Sequence, residues 1–439
     1  MTDYNAARTQ PEREHVWDVA VIGLGYVGLN LALSACQAGL RVVGIDRDPT
    51  LIAELTRGRT VVDGVDDADI ESALTRGFRA TGDASAVSES ATVVIAVQTP
   101  LTLDGRPDHQ AVIGAARDIA PHLQPGALVC LESTVSIGTT DGPVRKTLEN
   151  GKLTAGRDFA LVFAPERINP GDPASTVADV PRVVGGINDV STMRGVRFYQ
   201  RFVNEVHPVA STREAELAKL LENTYRFVNL TLINELAASL AGTDIDVNAA
   251  IQAASTKPYG FQPFFPGPGV GGHCIPVDPM FLQSSLETMG NGSSGVLAAA
   301  HRANVERPSI VSKQILSELA SAAIPVAGAQ IGLIGVGYKE GVRDTRNSPA
   351  FPIALELLAA GAVVSFFDDL VKEVVVEDAM LDRHSSVMEL VASCDAVVRL
   401  QGSSADSFDL HGAPPLFIDL RPRQDLFARL PRTTGVAGT

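Results

Sequence analysis

Cysteine is scarce in this chain and never paired. Cys36, Cys130, Cys274 and Cys394 stand far apart, without the short spacings of a zinc site or a small disulfide scaffold, so no metal centre is expected and a reducing cytoplasm suits the sequence best. Positive charge is also short. The 36 Lys and Arg face 51 Asp and Glu, and a formal net charge of -15 leaves no electrostatic footprint for nucleic acid or an anionic membrane. An anionic substrate must therefore be caught by a few local cations. Long hydrophobic runs are missing as well: Met1 to Trp17 is polar and charged without an apolar signal core, and no later segment is apolar for long enough to span a bilayer. Residues 1–16 are expected to form a disordered tail on a soluble enzyme. What is present, 45% hydrophobic and 20% charged residues over 439 positions, suffices for two or three cores, since domains usually hold roughly 100 to 200 residues.

Trp17-Asp-Val-Ala-Val-Ile-Gly-Leu-Gly25 reads as a short buried strand ending in glycines; Val27 to Ala38 suits a helix that Gly39 ends, and Arg41 to Asp46 is the next strand. Further strands are expected at Thr92 to Val97, Ala127 to Glu132 and Phe159 to Ala164, with helices between them, giving one doubly wound domain over residues 17–210. Ser211-Thr-Arg-Glu214 has capping-box spacing, and the pattern Leu217, Leu220, Leu221, Val228, Leu232 behind it predicts one long helix to about Leu240. The stretch Lys257 to Pro279 is rich in Pro and Gly, yet Phe261, Phe264, Phe265, Val270 and Ile275 make it too apolar for a flexible linker; an ordered loop beside a site is expected. Near Ala329 the opening pattern returns, with Gln330 to Gly337 as a strand ending in glycines, Ala362 to Phe367 as its partner, and Ala396 to Leu400 and Leu416 to Leu420 as further strands. The fold class is therefore α/β: two Rossmann-like doubly wound domains, 17–210 and 309–439, joined by a helical domain, 211–308, that carries the long helix.

Gly23, Gly25 and Gly28 fall after a strand and at the start of a helix, the context in which a backbone can approach a pyrophosphate held on a helix N-terminus; Tyr26 and Val27 complete the turn. Asp46 ends the second strand, where a carboxylate can accept from the ribose hydroxyls of NAD and repel the extra phosphate of NADP. The adjacent Arg47 keeps NADP open. The second unit lacks the third glycine at the usual place, and Lys339, Arg343 and Arg346 beside Gly335 to Gly341 suggest a different phosphate-bearing ligand, or else a solvated basic loop. Lys219 and Asn223 are four apart on the long helix and share a face, with Asn234 near the same stripe; together they can bind an oxyanion, although such pairs are more often solvent-exposed. The stretch Pro266-Gly-Pro-Gly-Val-Gly-Gly-His-Cys274-Ile-Pro-Val-Asp278-Pro is the most specific feature. Glycines this dense let the backbone reach a ligand, and a cysteine among them can attack an aldehyde if a nearby cation holds it as thiolate. Cys36, Cys130 and Cys394 read as buried structural residues. His273 carries little weight as a partner of Cys274, because sequence neighbours usually point apart.

With these residues in hand, the chain from about Val19 to Leu420 resembles the UDP-glucose/GDP-mannose dehydrogenase family. The matching stretches, in order, are Gly23 to Gly28, Thr99-Pro100, Glu132 to Thr140, Ala164 to Gly171, Glu216 to Asn223, Asn234-Glu235, the Cys274 loop, and Tyr338-Lys339 with Asp344 to Pro349. The form Gly-Gly-His-Cys-Ile-Pro-Val-Asp, with Thr256 to Phe261 upstream, looks more like the branch acting on UDP-N-acetylhexosamines than like UDP-glucose dehydrogenases. The resemblance implies a homodimer formed through the helical domain, NAD on the first domain, and a UDP- or dTDP-linked sugar on the second. It carries over Cys274 as nucleophile, Lys219 and Asn223 as oxyanion partners, and Asp278, Thr134 and Glu166 as groups that position water or relay protons. It places Asp46, Thr99, Thr134 and Arg346 around NAD, Lys339 at the diphosphate, and Gly271 and Tyr338 beside the sugar nucleotide. Gln98 stands where many members of the family have proline, and Pro170 and Pro258 depart from the glucose-acting branch, which leaves the reaction intact and opens the identity of the sugar.

The reaction so implied is a four-electron oxidation of a sugar's primary alcohol to a carboxylate through a thiohemiacetal and thioester on Cys274. Two rivals remain at this level. One is a single-step NAD-dependent hydroxy-acid type dehydrogenase, which needs no cysteine; the other is a non-catalytic nucleotide-binding sensor with Cys274 as a redox switch.

Overall fold

The structure is a computed structural model that describes residues 15–62, 64–169, 176–290, 292, 294–402 and 416–421. All but the last two residues of the expected tail, together with Pro170 and Gly171, lie outside the described residues. Two compact units divide the chain between Lys219 and Leu220.

In the first unit the strands are β1 (Trp17–Ile22), β2 (Val42–Ile45), β3 (Arg79–Thr81), β4 (Ser90–Ile95), β5 (Leu128–Leu131), β6 (Ala160–Phe163), β7 (Arg182–Gly186) and β8 (Val206–Val209). They form one sheet in the order β3-β2-β1-β4-β5-β6-β7-β8, parallel throughout except where β6 meets β7. Its first six strands have the 3-2-1-4-5-6 order of a dinucleotide-binding sheet, whose ligand crevice lies beyond the carboxyl ends at the β1/β4 switch point. The helices are α1 (Tyr26–Gln37), α2 (Pro49–Thr56), α3 (Asp67–Thr75), α4 (Gln110–Ile119), α5 (Arg145–Glu149) and α6 (Asp189–Tyr199). Alternation along β1 shows the two-sided packing: Val19 and Val21 join a core with α1, α3 and α6, whereas Ala20 and Ile22 join another with α4 and α5. Both faces are buried, so these strands read as continuous apolar runs, and five of them lie where the sequence places them. The short β3, and β7 and β8 with the antiparallel step, have no such signal.

The long helix α7 (Thr212–Ser239) begins with the expected capping box: the Ser211 amide donates to Glu214 Oε2 and the Glu214 amide to Ser211 Oγ. It runs from the first unit into the second, where α8 (Val247–Ser255), α9 (Asp278–Thr288) and α10 (Gly295–Ser321) follow. The stretch between α8 and α9 has no regular element, as expected of an ordered loop, although Asp278 and Pro279 already open α9. Then come β9 (Gln330–Ile334), α11 (Ala350–Ala359), β10 (Val363–Phe367), the small hairpin β11 (Val375–Val376) and β12 (Ala379–Met380), β13 (Asp382–Arg383), α12 (Val387–Ser393), β14 (Ala396–Arg399) and β15 (Leu416–Asp419). The second sheet is wholly parallel in the order β13-β10-β9-β14-β15, so the repeat of the opening pattern is a second Rossmann-like sheet. One local difference matters. No helix opens at Gly337: Asp368 Oδ2 accepts the Val336 and Gly337 amides, and the chain loops to Pro349 before α11. Among the described residues, no helix is long and apolar enough to cross a membrane.

Candidate functional site

In the first unit the glycine turn crosses the carboxyl end of β1. Gly23 has φ +90°, and a Cβ on Gly28 would overlap the Gly23 carbonyl oxygen, so only glycine lets α1 start this close to the strand. Gly25 caps α1 without a side-chain hydrogen bond, and no acidic residue lies in the first turn, which leaves the amides of the Tyr26–Gly28 turn suited to an anion. That cradle fits a dinucleotide pyrophosphate. Asp46 follows β2 as expected and accepts the Leu24 amide at 2.7 Å and the Asp48 amide at 2.9 Å, while Arg47 is exposed. Ser133 clamps the strand ends beside them: its Oγ accepts the Val97 amide at 2.9 Å and donates to the Val97 carbonyl at 2.7 Å, setting Thr99 and Thr134 on neighbouring loops. Glu166 turns its carboxylate onto the Ile168 amide and offers its main-chain carbonyl to Lys219 Nζ at 2.8 Å. Lys219 is only 9% exposed, so the solvated-lysine alternative does not describe it.

In the second unit the Cys274 loop is fastened along its length. Asn234 Oδ1 accepts the Gly267 amide, Arg307 Nε donates to the Gly267 carbonyl, and Asn304 makes a two-way contact with Val270. The Gly272 amide donates to the Arg346 carbonyl and Asn347 Nδ2 to the Gly272 carbonyl, both at 3.0 Å. Gly272 has φ +89°, and a Cβ there would strike the Tyr338 ring, which explains why the loop needs glycine where it meets the segment after β9. The Cys274 carbonyl then accepts the Asp278 amide at 2.8 Å, and the buried Asp278 carboxylate accepts Asn223 Nδ2 at 2.6 Å. Cys274 is partly exposed, whereas Cys36, Cys130 and Cys394 are buried; all four are free. Burial pushes the Cys36 thiol up to about 12.

His273 departs from expectation. Its Nδ1 lies 3.3 Å from Asp344 Oδ2, and its ring shares a hydrogen bond with the Cys274 side chain. The Asp344 bond, then the Cys274 bond, raise His273 to about 9 against the opposing effect of burial. Burial pushes Asp344 up, but hydrogen bonds from His273 and Arg346 overrule it and hold the carboxyl well below its usual range. Arg346 Nη2 reaches Asp344 Oδ2 at 2.6 Å and also His273 Nδ1 at 3.0 Å; with His273 protonated, the carboxylate is the shared acceptor and the second contact is two cations held by one anion. An imidazolium therefore stands beside the thiol. At the carboxyl ends of β9, β10 and β14 a cavity of about 190 Å³ is lined by Lys339, Glu340, Val342, Asp368, Asp369 and Gln401. It marks the switch point of the second sheet.

Matches to family models run along the whole architecture. Residues 17–203 match the NAD-binding domain of the UDP-glucose/GDP-mannose dehydrogenase family, 213–306 its central domain and 332–422 its UDP-binding domain. The UDP-N-acetyl-D-mannosamine dehydrogenase of Pyrococcus horikoshii is 33% identical over 383 residues, covering 87% of this chain and 88% of the relative. The chain belongs to the UDP-glucose/GDP-mannose dehydrogenase family. As a member of that family it is an NAD-dependent oxidoreductase. A UDP-N-acetyl-D-glucosamine 6-dehydrogenase of Pseudomonas aeruginosa is 35% identical over 364 residues, 82% of this chain and 84% of its own length. Among solved structures, that of a UDP-D-ManNAc dehydrogenase from Pyrococcus horikoshii superposes with a TM-score of 0.82 at 31% identity, covering 92% of this chain and 95% of the other.

Within this family member several site-building residues escaped the sequence reading. Glu216 lies in the matched stretch ending at Asn223, yet its part is visible only in the fold: the carboxylate accepts the Gly138 and Thr140 amides, and burial raises it to about 7. His109 Nε2 accepts the Ser136 amide at 3.2 Å, and burial holds the ring toward its neutral form. Asp344 sits in a matched motif without an assigned role. The glycine and cysteine motifs were detectable because their chemistry is local; these acceptors serve amides up to 78 residues away, which no spacing rule reveals.

Proposed function

We propose that the chain is a UDP-N-acetylhexosamine 6-dehydrogenase that works as a cytoplasmic homodimer, with a helical part at 211–308 between an NAD-binding part at 17–210 and a sugar-nucleotide part at 309–439. The observation that carries the reading is the setting of Cys274: a partly exposed thiol in a fastened glycine loop, with the His273 imidazolium at its side. The names of its relatives favour an N-acetylated UDP sugar over UDP-glucose or a dTDP sugar.

The Gly23–Gly28 turn would hold NAD, and two NAD molecules bound in turn would each accept one hydride. Thr134, Glu166 and Asp278 hold the water that takes the alcohol proton as the C6 alcohol becomes an aldehyde. The Cys274 thiol passes its proton to water as its sulfur adds to the aldehyde carbon, forming a C–S bond, while Lys219 and Asn223 stabilise the alkoxide. Loss of the second hydride from that carbon leaves a thioester; water breaks the C–S bond, giving the carboxylate and restoring the thiol. Asp46, Thr99 and Arg346 serve the cofactor, and Gly271, Tyr338 and Lys339 the sugar nucleotide. Leu217, Leu221, Tyr225, Leu232 and Leu236, all at least 40% exposed on α7, support the dimer.

The test is NADH release from UDP-N-acetylglucosamine, UDP-N-acetylmannosamine, UDP-glucose and dTDP-glucose. The highest kcat/KM is expected with an N-acetylated UDP sugar. A clear preference for UDP-glucose or dTDP-glucose would overturn the branch, and release from none of the four would overturn the reading.

A further inference from the structure

Beneath the carboxyl ends of β5 and β6, three charged and polar side chains form a buried knot. Glu132, directly after β5, has a side chain with no exposure, and Arg182, the first residue of β7, is 4% exposed. Tyr199, the last residue of α6 and fully buried, donates its hydroxyl to Glu132 Oε1 at 2.6 Å. Arg182 Nη1 lies 3.2 Å from Glu132 Oε2 and donates to the Ala164 carbonyl at 3.2 Å, and its guanidinium stands 5.0 Å from the centre of the Tyr199 ring. The ion pair is not well directed: among the described residues no donor makes a properly angled hydrogen bond to Oε2.

Such a pair is a poor stabilising device. Removing two charges from water costs as much as their attraction returns, and apolar side chains of the same volume fill such a space equally well. What the knot does achieve is connection. Glu132 is two residues before Thr134, and the carbonyl that Arg182 holds, Ala164, is two residues before Glu166. The Glu166 carbonyl in turn receives Lys219 Nζ. Glu166 also lies close enough for its charge to act on both, repelling the Glu132 carboxylate and favouring the Arg182 cation.

We infer that Glu132, Arg182 and Tyr199 are positioning residues for the oxidation: they lock the ends of β5 and β6 in one register so that Thr134, Glu166 and Lys219 keep a single geometry. This rests on the reading above that those three serve the reaction. None of the knot residues touches the reacting atoms.

The experiment uses the full chain with NAD and whichever of the four nucleotide sugars it turns over fastest, well below each variant's melting midpoint. It compares Tyr199→Phe, Glu132→Gln, their double variant and Lys219→Ala. Each knot variant is expected to lower kcat about tenfold or more, as small misplacements do, with both KM values within about twofold of wild type. Because the two act through one network, the double variant should be no slower than the worse single one, whereas independent damage would multiply. A kcat within about twofold of wild type in the folded knot variants overturns the inference, as does a KM that rises in step with the fall in kcat. Glu132→Gln keeps the volume and the acceptor for Tyr199, so it carries the test if Tyr199→Phe does not fold; failure of both to fold makes the knot a folding element and overturns the inference. Normal turnover by Lys219→Ala instead removes the reading on which it rests, while a collapsed Lys219→Ala beside a normal Tyr199→Phe sinks this inference alone.

Discussion

Cys274 and His273 show how a loop can make sequence neighbours cooperate. Side chains adjacent in sequence usually diverge, but the positive φ of Gly272 bends the backbone, and Asp344 holds the ring beside the sulfur. Cys274→Ala is expected to bind the nucleotide sugar with little change and to yield no carboxylate by mass spectrometry; full carboxylate from that variant would remove the covalent role. His273 supplies a pH signature. Its folded pKa, about 9, lies above the ordinary 6.5, so the bond to Asp344 stabilises fully below about pH 6.5 and is lost as pH rises through 9. The side chain is 35% exposed and the pair is screened accordingly, so the melting-temperature gap between wild type and His273→Gln should be about 2–4 °C at pH 6 and close by pH 10. A gap that does not change with pH would contradict the pairing.

At the scale of elements, α7 carries both the most legible and the least legible features. Its start was readable because a capping box is a local device, with Ser211 and Glu214 serving each other's amides. Its surface was less so: Leu221 and Leu232 fit a core pattern, yet stand 56% and 57% exposed. The double change Leu221→Glu and Leu232→Glu is expected to convert a dimer to a monomer by light scattering while helix content by circular dichroism stays the same. An unchanged dimer would rule out this face. Apolar strands such as β1 and β5 were legible because both faces are covered. β7 was not, since it begins with Arg182 and ends in two glycines, and neither was β8, which contains His207 and Pro208. A buried arginine in a strand reads as a surface residue until the fold supplies Glu132 and Tyr199 around it.

On the scale of the whole chain, two sheets, the first parallel except between β6 and β7 and the second parallel throughout, repeat one plan with different turns. After β1 the glycines open directly into α1, and Asp46 takes the Leu24 amide from the turn; after β9, Asp368 takes both the Val336 and Gly337 amides, and the chain loops to Tyr338 and Pro349 before its helix. The repeat was visible in the sequence, as was the missing third glycine, but the use of the second loop as the bed for Gly271 and Gly272 was not, because it joins segments more than sixty residues apart. The two turns suit different ligands, one a dinucleotide and the other a sugar nucleotide, and in the proposed reaction the thiol between the two motifs in sequence would give the second oxidation. Counting products tests this most directly. With the preferred nucleotide sugar and excess NAD, the account predicts two NADH for each carboxylate formed and no free aldehyde; one NADH per sugar, with the aldehyde as the final product, would contradict it.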